Sequence, residues 1–522
     1  MLMLAAHEPY DDPRVDWAAN TASELYDVTV YGLHNYTSRC SDEENAGRYR
    51  IRRIRRSLTV DARFLAHLIV AAGERVRKRL GVLGRPALLF ALVALVPMEM
   101  LVRLCFVAAL GVGYVLSAVK KPLSLFWPKI TLGLARPLLV GPKTVPAQDQ
   151  APATSEADSG QSPAPALGST PDYVPPSYWA RVRMFQGTLL HVFGTAQVFW
   201  RAYCREQHRP AVIYCNDLDT LLPGTLMSMA SGARLVYDSH EYWPYSNVEA
   251  LPFHVWFFQR FERALIRRAD AVITVSDPLA RTLESAYGVR EVHSIPNAEP
   301  WVGNLSTRTV AGELARLAAG RIGFLFQGSF APQRGLEELV DAWANVDGRK
   351  AALFLRGPDN AWRQALATRA QRLGLLGTSV FVLQPVSVDE LVTGATEADV
   401  GIIPYKPDSP AYRYACPNKL SQYMHAGIAI LSNAIPYVAQ QVESARCGLT
   451  YDSKDSSSIV TAVMRMAEHP TELADMKSAA REYGKTVFNW QVQSAKLPDL
   501  IRTPAVKAEE ATATICCGMS MP

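Results

Sequence analysis

Val400-Gly-Ile-Ile403, then Tyr412-Arg-Tyr-Ala-Cys-Pro417-Asn418-Lys419-Leu-Ser-Gln422-Tyr-Met-His-Ala-Gly427, then Ile428-Ala-Ile-Leu431 read as strand, helix and strand. Short apolar runs bounded by turn residues are buried strands. Pro417 suits a first helical turn and Gly427 a C-terminal cap. The helix therefore starts at Pro417, just past the carboxyl end of the strand 400–403. In open α/β sheets ligands gather at that end. A positive helix N-terminus there, with Lys419 beside it, suits phosphate, and Gln422 one turn on suits a sugar or ribose hydroxyl. An ordinary capped surface helix is the competing reading.

The same alternation surrounds this stretch. Residues 323–327, 352–355 and 380–382 are strands of one lobe spanning about 321–480. Upstream, an apolar strand from Met1 to Ala6 leads through the loop His7 to Arg14 to a helix from Val15 to Leu25. The alternating strand Tyr26 to Tyr31 follows. This order implies parallel strands joined by a right-handed crossover. The pattern resumes with a helix over 181–207, then strands 211–215, 235–238 and 271–275, and helices 221–229 and 255–268. Two Rossmann-like lobes facing a cleft are expected, an α/β fold.

Bulk properties agree. The 522 residues are too many for one ordinary core. A composition 49% hydrophobic and 20% charged is globular, and a net charge of +5 argues weakly for any polyanion, so no nucleic-acid partner is expected. Eight scattered cysteines lack CxxC or metal spacing, and Met1 to Ala6 reads as a strand rather than a leader, so reduced thiols in a cytoplasmic compartment are expected. Cys516-Cys517 fits either a lipidated or a disordered end.

Between the first lobe's two parts the pattern stops. From Pro86 to Val119 the only charges are Glu99 and Arg103, and a further apolar piece runs from Pro122 to Val140. Strands on both sides join one sheet, so any membrane crossings must be even in number. Two legs of about 17 residues each are at the short limit for a bilayer. A re-entrant hairpin, a pair of interfacial helices, and a buried helical layer or oligomer contact stay open. The basic cluster Arg75, Arg77, Lys78, Arg79 and Arg85 abuts this segment and suits anionic headgroups, making 75–140 a membrane contact. The cluster of arginines over 48–56 reads as a solvated face. Residues 141–177, rich in Pro, Ala and Ser, read as a flexible linker.

Residues after the strand ends carry the chemistry. Asp217 and Asp219 fit a metal-binding DxD or, equally, a helix N-cap and first-turn carboxylate. His240-Glu241, after Asp238-Ser, can orient an acceptor hydroxyl or stabilise charge. Gly328 and Ser329 let a backbone approach a ligand, and Arg334 beside a helix start suits a diphosphate. No GxGxxG or Walker loop occurs, which weakens dehydrogenase and kinase readings.

Taken together, Asp12-Pro-Arg14-Val, Asp217-Leu-Asp219-Thr-Leu, Tyr237-Asp-Ser-His-Glu241, Ala269-Asp-Ala-Val-Ile-Thr-Val-Ser276, Gln327-Gly-Ser with Arg334-Gly-Leu-Glu337, Pro417-Asn-Lys-Leu420 through Gly427, and Asn489-Trp490 resemble the family 4 retaining glycosyltransferases of the GT-B fold. The resemblance spans about three quarters of the chain. It implies a nucleotide-diphospho-sugar held by the second lobe through Gly328, Ser329, Arg334, Asn418, Lys419, Leu420 and Gln422. It implies no metal and no other cofactor. His240 and Glu241 are the implied catalytic pair, with Asp12, Arg14, Asp217, Asp219 and Asp238 on the acceptor side. Many members carry two glutamates eight apart, where this chain has Tyr414 and Gln422. The loop Ala6 to Asp12 also lacks the expected glycines.

The expected organisation is a first lobe over 1–85 and 178–305, a membrane-associating insertion over 86–140, a linker over 141–177, a donor lobe over 306–485, a crossover helix over 486–502 and a disordered tail over 503–522. The expected activity is sugar transfer to an acceptor, lipid-linked given the insertion, at the cytoplasmic face of the inner membrane. A non-catalytic scaffold of a glycan assembly complex and a sugar-nucleotide epimerase are the alternatives.

Overall fold

The computed structural model describes residues 1–9, 12–34, 42–56, 60–61, 64, 176–206, 209–303, 312–408 and 410–503. The chain divides into one unit of residues 1–60 with 169–522 and a second of residues 61–168. The insertion over 86–140, nearly all of the linker and the tail after Thr503 lie outside the described residues. Among the described residues no helix is long and apolar enough to cross a membrane.

In the first lobe β1 (Leu2–Leu4), β2 (Thr29–His34), β3 (Glu43–Ala46), β4 (Tyr49–Arg55), β5 (Val212–Asn216), β6 (Arg234–Ser239), β7 (Ala271–Thr274) and β8 (Val292–Ser294) form one sheet, ordered β3-β4-β2-β1-β5-β6-β7-β8. All pairs are parallel except the edge hairpin β3–β4. The lobe's helices are α1 (Pro13–Ala22), α2 (Tyr178–Arg205), α3 (Leu218–Ser231), α4 (Pro252–Ile266) and α5 (Asp277–Tyr287). β1 pairs with β2 on one side and β5 on the other, so the long excursion between β4 and α2 leaves a single sheet.

The second lobe orders β9 (Ile322–Gln327), β10 (Ala351–Arg356), β11 (Val380–Leu383), β12 (Val400–Ile403), β13 (Ala429–Asn433) and β14 (Gly448–Tyr451) as β11-β10-β9-β12-β13-β14, all parallel. Strand order reverses beside β9 and β12, which is where such sheets open a ligand crevice. α6 (Leu336–Trp343) follows β9, and α7 (Lys419–Ala426) lies between β12 and β13. α7 begins two residues later than Pro417, with Asn418 at the N-cap and Gly427 in the left-handed conformation at its end.

Two expectations change. The arginine-rich run over 48–56, expected as a solvated face, forms the strand β4, which leaves Arg50 and Arg55 exposed but buries Arg53. Its side chains alternate in burial, and the Arg53 guanidinium is fully covered, reaching Glu8 at 2.9 Å and Glu44 at 3.0 Å. A charge that buried persists only when paired, and the partners come from the loop after β1 and from β3. The segment 486–502 is a series of short turns, Trp490–Gln493, Ser494–Lys496 and Leu497–Ile501, in place of one helix. It crosses back to the first lobe: the Trp490 ring lies 5.5 Å from Trp17, its Nε1 donates to Thr21 Oγ1 at 2.9 Å, and Arg234 donates to the Leu500 carbonyl. Such an aromatic pair is worth about 0.5–1.5 kcal/mol beyond its area.

Candidate functional site

The donor end is built from strand ends of the second lobe. Gly328 follows β9 at φ +138°, and a Cβ there would press to 3.4 Å from Lys419 Nζ. Gly335 at φ +74° caps α6, where any side chain would collide with the Pro404 carbonyl oxygen. These two glycines draw the loop 328–335 against α7. Arg334 donates to the Ser329 carbonyl at 2.7 Å and stacks over the Tyr405 ring at 5.2 Å, while its buried Nε has no hydrogen-bond partner among the described residues. Lys419 is buried, donates to the Tyr405 hydroxyl at 2.6 Å, and lies over the Phe326 and Tyr405 rings. Among the described residues neither cation pairs with a carboxylate. Burial, reinforced by the Arg334 charge, lowers the Lys419 ammonium from its ordinary range. Burial would raise the Tyr405 phenol, but Lys419 and Arg334 pull it below its ordinary value. A buried and a half-buried cation side by side, with only phenols, rings and carbonyls around them among the described residues, are a site short of negative charge.

Opposite them lies a carboxylate-rich wall. His240 follows β6, and its backbone N–H donates to Asp217 Oδ1 at 2.9 Å. Its Nδ1 lies 3.3 Å from Asp12 and 3.5 Å from Asp217; its Nε2 lies 3.2 Å from Asn216 Oδ1 and 3.7 Å from Asp238. Burial works against the imidazolium, yet Asp217 and Asp12 outweigh it and hold the ring protonated well above its ordinary value. With both ring nitrogens engaged, His240 is a fixed positive element of the wall rather than a free base. Asp12, though buried, is driven far below the usual carboxylate range by His240 and His7. Burial raises Asp217 to about 6, against the pull of His240. Glu241 stands at the pocket surface, where desolvation by the cleft and the Asp217 charge raise its carboxyl.

Several candidates sit elsewhere than on the ligand surface. Arg14 and Asp238 lie beneath the wall, 2% and 0% exposed, joined by a bidentate pair of 2.8 and 2.9 Å. Arg14 also donates to the Ile295 carbonyl and Asn297 Oδ1, and Tyr214 donates to Asp238 at 2.6 Å. They position His240 and the segment entering the second lobe, with no atom left for an acceptor. Leu420 is fully buried, its backbone N–H bonded to the Pro417 carbonyl. Asp217 occupies the N-cap position of α3 without capping it, because its side chain turns to His240; Asp219 bonds His191 at 2.9 Å. Gln422 donates to Glu299 Oε1 at 2.9 Å.

A pocket of about 420 Å³ joins the two ends, lined by His240, Glu241, Gly328, Arg334, Asn418, Lys419 and Gln422, with Tyr405, Tyr412 and Tyr414. Asn216, Glu299, Tyr405 and Ser246 were not legible as site residues. Tyr405 closes a strand-end segment and Glu299 follows a Pro-Asn turn, and neither sits in a charged or small-residue motif. Asn216 alone carried a signal, as the first residue past an apolar strand.

No curated protein matches the sequence. Among solved structures, sucrose-phosphate synthase from Thermosynechococcus elongatus superposes with a TM-score of 0.57 at 15% identity, over 96% of this chain and 97% of that one. HepE from Anabaena in complex with UDP gives 0.48 at 16% identity, over 60% and 83%. A glycosyltransferase from Rickettsia africae gives 0.47 at 10% identity, over 64% and 84%. The first of these likenesses shows the two-lobed GT-B fold. The model of the glycosyl transferase 4-like domain matches residues 139–298, and that of glycosyl transferases group 1 matches residues 321–469. Lobe by lobe, from the carboxylate wall to the cationic loop of the second sheet, the chain belongs to the group 1 glycosyltransferases.

Proposed function

We propose that the protein moves a sugar from a nucleoside-diphospho-sugar to a lipid-linked acceptor, with retention at the anomeric carbon, at the cytoplasmic face of a membrane. The observation that carries the donor reading is the pair Arg334 and Lys419, adjacent, part-buried or buried, and without a carboxylate between them. A diphosphate supplies the missing charge, and as the leaving group it gains charge in the transition state, where fixed cations act most strongly. These two side chains do the neutralising, so no metal ion is required.

The sugar then projects toward Asp12, Asp217 and Glu241 around His240. Glycosyl transfer passes through a centre with cationic character at the anomeric carbon, and Asp12, held ionised by His240 and His7, is the carboxylate of this wall that favours that charge. Gln422, which lines the pocket and donates to Glu299 behind it, meets the nucleoside. Support for the lipid acceptor comes from the apolar stretch 86–119 beside its basic cluster.

Purified protein is screened by thermal shift against UDP, GDP, ADP, CMP and dTDP, then incubated with the matching sugar nucleotide and membranes. One diphosphate should raise the melting temperature, and Arg334→Ala should abolish the rise. Proton NMR of the product anomer decides retention, and chelator-treated enzyme should keep its rate. Folded protein that responds to none of these nucleotides sinks the donor reading.

A further inference from the structure

α2 and α4 lie side by side on the first lobe, tied by the Phe185 ring, which sits 5.3 Å from Phe253 and 5.6 Å from Phe257. Their outer face is unusual for a surface. Tyr178, Trp179, Leu190, Phe253 and Trp256 are 63, 53, 46, 56 and 50% exposed. On α4, Phe253, Trp256, Arg260 and Arg263 recur at steps of three or four, so they form one stripe, which Arg267 continues at the C-cap. The Arg260 guanidinium lies 5.5 Å over the Trp256 ring. α2 contains no acidic residue, and Glu262, the lone acid of α4, is buried and accepts hydrogen bonds from Tyr237 and Tyr287. The two helices thus present aromatic rings and guanidinium groups with no carboxylate among them.

Aromatic rings that are apolar at one end and wet at the other settle at the boundary of a bilayer, and arginines beside them meet anionic headgroups. A groove of about 460 Å³ runs beside the face, lined by Met184, Gly187, His191, Asp219, Ser246 and His254. His254 is 3% exposed, with its Nδ1 unpartnered. Ser246 lines both this groove and the transfer pocket, so the two cavities are neighbours.

We propose that this face of α2 and α4 docks flat on an anionic bilayer, placing the groove mouth where the head of a lipid-linked acceptor emerges. The docking stands on the face alone; the acceptor's route rests on the transfer reading above.

The test uses the full chain and hydroxyl-radical footprinting read residue by residue. Trp179, Phe253 and Trp256 should be labelled readily in free protein, become protected on vesicles of phosphatidylcholine with phosphatidylglycerol, and stay labelled with phosphatidylcholine alone. Arg260→Gln/Arg263→Gln should weaken vesicle partition by roughly 30-fold, the equivalent of about 1 kcal/mol per basic residue at an anionic surface. Donor hydrolysis in solution should be unchanged in that variant, which shows that it is folded. Equal labelling with and without anionic vesicles overturns the docking, as does partition unaffected by the double substitution. Protection already present without lipid means that another part of this chain, a second copy or a protein partner covers the face, and the proposal falls. If the docking results hold while native lipids accept no sugar, the acceptor reading fails and the docking stands.

Discussion

Replacing Lys419 with methionine should push the stability of the free protein and its affinity for a nucleoside diphosphate in opposite directions. Lys419 is a buried ammonium whose one hydrogen-bond partner among the described residues is the Tyr405 hydroxyl, at 2.6 Å, and whose neighbour Arg334 carries the same sign. Methionine keeps nearly the same length, fills the slot over the Phe326 and Tyr405 rings and removes the like-charge contact. The free protein should therefore melt at the same temperature or slightly higher. A hydrogen bond to a charged partner is worth about 1.5–3 kcal/mol, so losing the one to a phosphate oxygen costs roughly 30-fold in affinity at about 2 kcal/mol. At a ligand concentration about 100 times the wild-type Kd, the stabilisation by ligand should drop from about 2.7 to about 0.9 kcal/mol. Urea unfolding with and without the nucleotide reads both quantities on one sample. A free variant that loses as much stability as a core deletion, yet keeps its full ligand response, would refute the anion-site reasoning.

His240 is held protonated above its ordinary value of 6.5, so its contribution to stability is complete below that pH and is lost as pH rises through the elevated value. His240→Gln should accordingly flatten the fall of melting temperature above pH 6.5, read by calorimetry across a pH series. Arg14→Met leaves Asp238 buried without its counterion and should cost about 3–5 kcal/mol in urea titration, whether or not ligand is present. Gln422→Glu sets a second carboxylate against Glu299, whose own carboxyl burial already raises. The variant should be destabilised at pH 7 by about 1.4 kcal/mol per unit of induced pKa shift. It should recover as pH falls, and Glu299→Gln added to it should restore wild-type melting.

What the sequence determined by itself is local and periodic. The apolar runs 323–327, 352–355 and 400–403 read as buried parallel strands, because continuous apolar stretches of that length between turn residues need cover on both faces, and the strands found there extend them by at most a residue at either end. Once these and the first-lobe runs 211–215 and 235–238 were strands, the segments past their carboxyl ends named Asp217, His240, Gly328, Arg334 and Lys419 as ligand-facing positions, and the pocket brings His240, Gly328, Arg334 and Lys419 together. Tertiary structure decided everything that depends on a partner distant in the chain. Arg14 looked like an acceptor contact and became a buried clamp because Asp238, 224 residues away, takes its guanidinium in two hydrogen bonds. Arg53 passed from a solvated charge to a buried one because Glu8 and Glu44 meet it, and Gln422 gained a carboxylate from Glu299 that its own helix does not provide. Periodicity reports which side of an element is dry, since burial of apolar area acts on each element alone. The pairing of a buried charge depends on where another strand or loop arrives, and that is set only when the lobes close.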